Sequence, residues 1–73
     1  MKQGYKVIRP FAATAPISGT RRQFSLGEMV GCDTKEPGST LTLEVGEGGF
    51  TTYYFVERPV FNDCCKWMPG SAA

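Results

Sequence analysis

The segment of residues 40–57 carries the pattern that most restricts the fold of this chain. It reads TLTLEVGEGGFTTYYFVE, and in its first half Leu41, Leu43 and Val45 alternate with polar residues. A period of two is typical of a strand with one buried face. The glycine-rich run at residues 46–49 tolerates the positive φ values that a tight hairpin turn requires. Because the second half is dense in aromatic and β-branched residues, the segment predicts a β-hairpin and a β-rich fold.

Short strands and a long loop are predicted on the N-terminal side of this hairpin. Residues 5–10 predict a first strand, placed near a sheet edge because Pro10 has no N–H to donate to a ladder. Residues 12–22 are rich in small residues and contain Pro16 and Gly19, so they predict a long irregular loop. Long loops often carry binding residues, which makes this loop a candidate functional element.

Residues 23–33 predict two short extended segments on either side of a bend. The first is a strand or turn centred on Phe24, the bend lies at residues 25–27, and the second strand covers residues 28–32. The Pro37-Gly38 pair then suits the centre of a type II turn, which leads into the hairpin.

The C-terminal part predicts one helical or 3₁₀ turn and a frayed end. The turn covers residues 59–67, with Pro59 at its first position, where a missing N–H is harmless. Residues 69–73 are expected to fray. A chain of 73 residues forms one domain, covering residues 1–73. We therefore predict an all-β fold, a small antiparallel barrel of about five strands with one C-terminal turn.

The residues around the predicted bend resemble the diverging turn of the small SH3-like β-barrels. That family has a long loop after its first strand, then an apolar-x-x-Gly-acidic-apolar-apolar segment, then a central hairpin. The matching residues here are Phe24, Leu26, Gly27, Glu28, Met29 and Val30. The resemblance implies an SH3-like barrel that acts by surface contact. Glu28 takes the acidic position, where it either caps the turn, the favoured interpretation, or binds a basic ligand group.

Two activities found among SH3-like proteins are not implied. The polyproline-binding SH3 domains have an A-L-Y-D-Y-type motif and a W-W pair, where this chain has Tyr5-Lys6-Val7 and Leu41-Thr42-Leu43. The V-Q-I-Y motif of the type II dihydrofolate reductases does not occur in the sequence either. Neither polyproline recognition nor that reductase activity is therefore expected.

The composition argues against catalysis and gives little support for binding to nucleic acid. The sequence has no histidine, the usual general base of enzymes. Its net charge is +1, too balanced to imply a nucleic-acid or membrane-surface partner. Neither a bilayer-spanning apolar run nor a signal-peptide core is recognisable. We therefore expect no enzyme activity, no cofactor, no membrane association and a cytoplasmic location.

Three cysteines, Cys32, Cys64 and Cys65, are predicted to be reduced thiols, although a disulfide from Cys32 to one of the other two stays open. Adjacent cysteines cannot reproduce the C-x₂-C spacing of a zinc site, so no metal site is predicted. Because Lys66 follows the pair, the sequence leaves open the alternative that Cys64 is a reactive thiol. The favoured interpretation places Cys32 in the core, with one of the adjacent pair packed inward and the other exposed.

The second strand of the hairpin gives the strongest functional signal, because it is apolar on both faces. Tyr53 and Phe55 fall on the face that a one-sided sheet would leave polar. Cover for them would come from the C-terminal turn with Val60, Phe61 and Trp67, from a second subunit, or from a ligand. An uncovered apolar patch usually marks an interface.

The leading hypothesis is a non-enzymatic interaction module that binds a protein partner or its own copy. Tyr53, Phe55 and Trp67 would supply the apolar contact, because large stiff aromatic side chains suit such surfaces. The loop of residues 12–22 would shape the edge of that contact.

The alternative hypothesis is a small barrel that binds nucleic acid. In that case Lys6, Arg21 and Arg22 would contact phosphates beside the aromatic Tyr53. The near-neutral charge of the chain disfavours this alternative, because phosphate attraction dominates such affinities.

Overall fold

The structure, a computed structural model, describes residues 3–69 and contains one antiparallel sheet and one short helix in that range. In chain order the elements are β1 (Gln3–Val7), β2 (Phe11–Thr14), β3 (Arg21–Phe24), β4 (Met29–Cys32), β5 (Thr40–Glu47), β6 (Phe50–Glu57), α1 (Arg58–Cys64) and β7 (Cys65–Trp67). The strand order across the sheet is β3-β2-β6-β5-β4-β1-β7. The all-β prediction is therefore confirmed, whereas the closed barrel of five strands is wrong, since seven strands form an open sheet with β3 and β7 at its ends.

The predicted hairpin is present as the β5–β6 pair. Its two strands are paired at eight register positions, from Thr40↔Glu57 at one end to Glu47↔Phe50 at the other. The two residues of the turn, Gly48 and Gly49, have φ values of 58° and 86°. Two consecutive positive φ values are what a two-residue type I′ hairpin turn requires. This long, fully paired ribbon is the support on which the outer face of β6 is displayed.

The long loop predicted at residues 12–22 is largely a second hairpin, so that prediction is wrong. β2 and β3 pair from Phe11↔Phe24 to Thr14↔Arg21, and only residues 15–20 form the turn. The buried face of β2 consists of Phe11 and Ala13, and Ala15, which is also buried, follows directly after the strand. Alanine carries little apolar signal, so the period of two was present in the sequence but weak.

The helical turn predicted at residues 59–67 is confirmed in its first part. Pro59 lies at the start of α1, and the helix ends after Cys64 instead of continuing. Cys65 has extended dihedral angles, and β7 then pairs with β1. The first strand is also shifted, because β1 ends at Val7 instead of reaching residue 10. Of the tail predicted to fray, only Pro69 lies within the described residues.

Aromatic contacts hold the core on the inner side of the sheet. Phe24 stacks on Phe11 with a centroid separation of 5.0 Å and meets Tyr54 edge-on at 5.4 Å. Phe61 of α1 packs against Tyr5 of β1 at 4.8 Å. The aromatic side chain of α1 therefore packs into one end of the core, on the inner side of the sheet, and does not lie on the outer face of β6. Among residues 3–69, no helix has the length and apolar character needed to cross a membrane.

Candidate protein-contact surface

The outer face of β6 displays two aromatic side chains to solvent. Tyr54 and Val56 point into the core, so the alternation along the strand turns Tyr53 and Phe55 outward. Their exposed fractions are 48% and 45%. The C-terminal turn, one of the three sources of cover left open by the sequence, does not cover these two side chains fully, since about half of each stays exposed and Phe61 is buried in the core. Two of the predicted contact residues therefore lie side by side on a rigid hairpin.

The turn between β2 and β3 forms a groove with this face of β6. β2 is joined to β6 at the single described register pair Thr14↔Phe55, and beyond it the chain turns away. The resulting groove has a volume of about 400 Å³ and is lined by Ala15, Pro16, Ile17, Ser18, Thr42, Thr51, Thr52, Tyr53 and Phe55. None of these described lining residues is charged. Ile17 is 99% exposed on the wall of the groove.

We call the surface formed by Ile17, Tyr53 and Phe55, with the groove between them, the apolar face. Phe55 also lines a second depression, with a volume of about 460 Å³, together with Arg21 of β3 and Val60 of α1. Arg21 thus lies at the edge of the apolar face, on strand β3. The structure brings together Tyr53, Phe55, Arg21 and the β2–β3 turn.

Trp67 does not belong to the apolar face. It pairs with Tyr5 on β1, and directly opposed residues of an antiparallel pair share one face of the sheet. The ring of Tyr5 packs against buried Phe61, so Trp67 lies on the inner side at the β7 edge. Tyr53 lies on the outer side of a different strand. A single contact that includes both Trp67 and Tyr53, as predicted from the sequence, is not assembled within one chain.

Arg22 and Glu28 form an ion pair inside the molecule. Arg22 Nη2 donates to Glu28 Oε1 at 2.8 Å, and the Ser25 N–H donates to Glu28 Oε2 at 2.6 Å. The guanidinium of Arg22 also lies 4.4 Å from the ring centroid of Phe24. Glu28 therefore caps the turn between β3 and β4, the favoured interpretation of its position, and holds Arg22 over the core.

Replacing this carboxylate should destabilise the fold. We expect Glu28→Ala to lower the free energy of unfolding by about 1–3 kcal/mol, because the Ser25 N–H and the partly buried Arg22 guanidinium both lose their acceptor. Urea denaturation followed by circular dichroism measures the change. Glu57→Ala, an exposed carboxylate, is the control and should change stability by less than about 0.5 kcal/mol. Equal effects of the two substitutions would contradict the capping role.

The basic residues of the nucleic-acid alternative are not gathered on one surface. Lys6 lies on β1 between Met29 and Lys66, whereas Arg21 lies on β3 opposite Thr14. Arg22 is held by Glu28 on the inner side. The strand ladders therefore place only Arg21 beside the aromatic residues of β6.

All three cysteines are buried and unpaired by disulfides. Burial raises the pKa of the Cys32 thiol to about 11, with a further contribution from the negative charges of Glu36 and Asp33. Burial, together with smaller contributions from the neighbouring Cys64 and Cys32, raises the pKa of Cys65 to about 12. The prediction that one of the adjacent pair is exposed is wrong, because the change from helix to strand between them turns both inward. Within residues 3–69 no cluster of cysteines or carboxylates is arranged to hold a metal ion.

Arg58 has a structural role that cannot be recognised from the sequence. Its guanidinium donates to the carbonyl oxygens of Thr34 at 2.9 Å, Glu36 at 2.6 Å and Gly38 at 2.9 Å. It thereby fixes the loop before β5 to the start of α1. No local pattern connects an arginine to carbonyl groups twenty or more residues earlier, so only the folded arrangement shows this contact.

The chain was compared with protein-family models, with curated protein sequences and with solved structures, and none of them matches. The SH3-like relationship stays a prediction.

Proposed function

We propose that this protein is a non-enzymatic interaction module that binds a protein surface through the apolar face. The observation that carries the proposal is the grouping of exposed Ile17, Tyr53 and Phe55 around an uncharged groove. Contiguous exposed apolar side chains usually mark sites of interaction. Tyrosine suits such a site because its ring is large and stiff while its hydroxyl group remains able to form a hydrogen bond.

The support beneath the apolar face favours binding at low entropic cost. Tyr53 and Phe55 stand on β6, which is paired with β5 along its whole length. Their positions are therefore set before a partner arrives, and less conformational freedom is lost on association. Ile17 lies on the turn of residues 15–20, whose conformation is set by fewer hydrogen bonds. The face thus combines a fixed aromatic platform with a more adaptable wall.

The chemistry of the described groups supports a protein partner over a phosphate-bearing one. The groove lining is uncharged, and phosphate contacts dominate affinity for nucleic acid. The thiols offer little support for nucleophilic catalysis, because Cys32 and Cys65 are buried with raised pKa values and the thiolate is the reactive form. A surface that acts by apolar contact is consistent with both properties.

Photo-crosslinking in the cells that naturally make the protein tests this proposal. We expect p-benzoylphenylalanine in place of Tyr53 to give covalent adducts with protein, because the proposed partner covers this side chain. The same amino acid in place of Leu26 is the matched control, since Leu26 is 68% exposed and lies on the turn between β3 and β4, outside the apolar face. Adducts at position 53 no more abundant than at position 26, or adducts with nucleic acid instead of protein, would contradict the proposed function.

A further inference from the structure

We propose that the partner of the apolar face is a second copy of this chain, packed outer face to outer face about a two-fold axis. This inference rests on the proposed function and names its partner. A two-fold contact uses the same patch on both copies, so the patch must be complementary to itself in shape and charge. Area, charge and sheet geometry each meet that requirement.

The area of the apolar face is sufficient for a small symmetric dimer. Tyr53 and Phe55, each half exposed, present roughly 200 Å² between them if an aromatic residue buries 150–250 Å². With the fully exposed Ile17 and the threonines of the groove, the surface that one copy can bury is on the order of 500 Å². Two copies would then bury about 1,000 Å² in total, which is the lower bound for a specific interface. The groove of about 400 Å³ also has room for the Ile17 side chain of the other copy.

The charges beside the apolar face are opposite on its two sides. Arg21 lies on β3, opposite Thr14, which in turn lies opposite Phe55. Glu44 lies on β5, directly opposite Tyr53. The face therefore has a cation on its β3 side and a carboxylate on its β5 side, with an uncharged groove between them, while the carboxylate of Glu57 lies in the same depression as Arg21 and Phe55.

A two-fold axis running along the strands brings these opposite charges together. Such an axis places the β3 side of one copy over the β5 side of the other, so Arg21 of each copy faces Glu44 of the second copy. Facing sheets pack about 10 Å apart with nearly aligned strands, a gap that Tyr53 and Phe55 side chains fill. Within one chain Arg21 and Glu44 are three strand spacings apart, on the order of 14 Å, so a direct ion pair between them requires two copies.

Sedimentation velocity over a range from low micromolar to millimolar protein tests the dimer and its geometry. We expect the wild-type chain to dimerise with rising concentration. Tyr53→Ser together with Phe55→Ser should abolish this. Arg21→Glu alone and Glu44→Arg alone should each weaken dimerisation about tenfold, because each creates facing like charges. The double variant Arg21→Glu with Glu44→Arg should restore it. Lys66→Glu has the same charge change as Arg21→Glu but lies on β7, and it should have no effect.

The outcomes separate this inference from the function on which it rests. A wild-type chain that stays monomeric over the whole range overturns the second copy as partner, while protein adducts at position 53 in cells would still support the proposed function. A dimer that loses affinity with Tyr53→Ser and Phe55→Ser but shows no rescue in the charge-reversed double variant overturns the two-fold arrangement. A dimer indifferent to all of these variants overturns its placement on the apolar face. Circular dichroism of each variant confirms that the fold is retained.

Discussion

Phe24→Ala is expected to lower the free energy of unfolding by about 3–5 kcal/mol and to leave the chain largely unfolded at room temperature. Phe24 is completely buried, and its ring contacts Phe11, Tyr54 and the guanidinium of Arg22. Removing the ring leaves a cavity between β2, β3 and β6, and the guanidinium of Arg22 loses its contact with the ring. A core of this size rarely supplies more than about 3–5 kcal/mol in total, so the loss is comparable with the whole stability.

Leu26→Ala is the matched control for this substitution. Leu26 lies two residues further along the chain and is mostly exposed, so we expect a change of less than about 0.5 kcal/mol. Thermal and urea unfolding followed by circular dichroism measure both variants. A folded Phe24→Ala protein with a stability near that of Leu26→Ala would mean that Phe24 is not at the centre of the core.

Raising the pH from 8 to about 10 is expected to lower the free energy of unfolding by about 3 kcal/mol through the two most perturbed thiols. An unfolded cysteine has a pKa of 9.0, whereas burial keeps the pKa of Cys32 at about 11 and that of Cys65 at about 12. The thiols are protonated in both states below pH 9.0, so their contribution to stability is fully present there. Above that pH only the unfolded chain ionises, and each pH unit costs about 1.4 kcal/mol for each thiol until the folded pKa is reached.

Urea denaturation at a series of pH values measures this slope. Cys32→Ala and Cys65→Ala should each lower stability at neutral pH, because a buried side chain is truncated, yet each should reduce the loss between pH 8 and about 10 by roughly half. Any other pH-dependent contribution is common to all variants and cancels in the comparison. An unchanged slope in both cysteine variants would show that the thiols ionise as readily in the folded protein as in the unfolded chain.

The sequence predicted the elements whose signal is local and strong. The hairpin was evident from alternating Leu41, Leu43 and Val45 and from a glycine turn, and the bend after Phe24 was evident from its glycine. The β2–β3 hairpin was missed because alanines carry its buried face, and a small side chain gives a weak periodic signal. β7 was missed because a three-residue strand is defined by its partner β1 and by little in its own sequence.

Only the part of the candidate site that depends on local alternation was predictable from the sequence. The outward position of Tyr53 and Phe55 follows from alternation along one strand, which the sequence contains. Whether Trp67 joins them depends on the order and faces of strands distant in sequence, which alternation does not specify. The groove depends on where β2 leaves β6, after Thr14, and that point is set by tertiary packing.

The central claim is that the apolar face, and not the β7 edge, is the surface that meets another protein. Photo-crosslinking at positions 53, 55 and 67, compared within one experiment in the cells that naturally make the protein, tests it most directly. Trp67 is the sharpest comparison, because it is aromatic and as exposed as Tyr53 but lies on the inner side of the sheet. We expect adducts with the same protein from positions 53 and 55 and few or none from position 67. Abundant adducts from position 67, with none from positions 53 and 55, would contradict the claim.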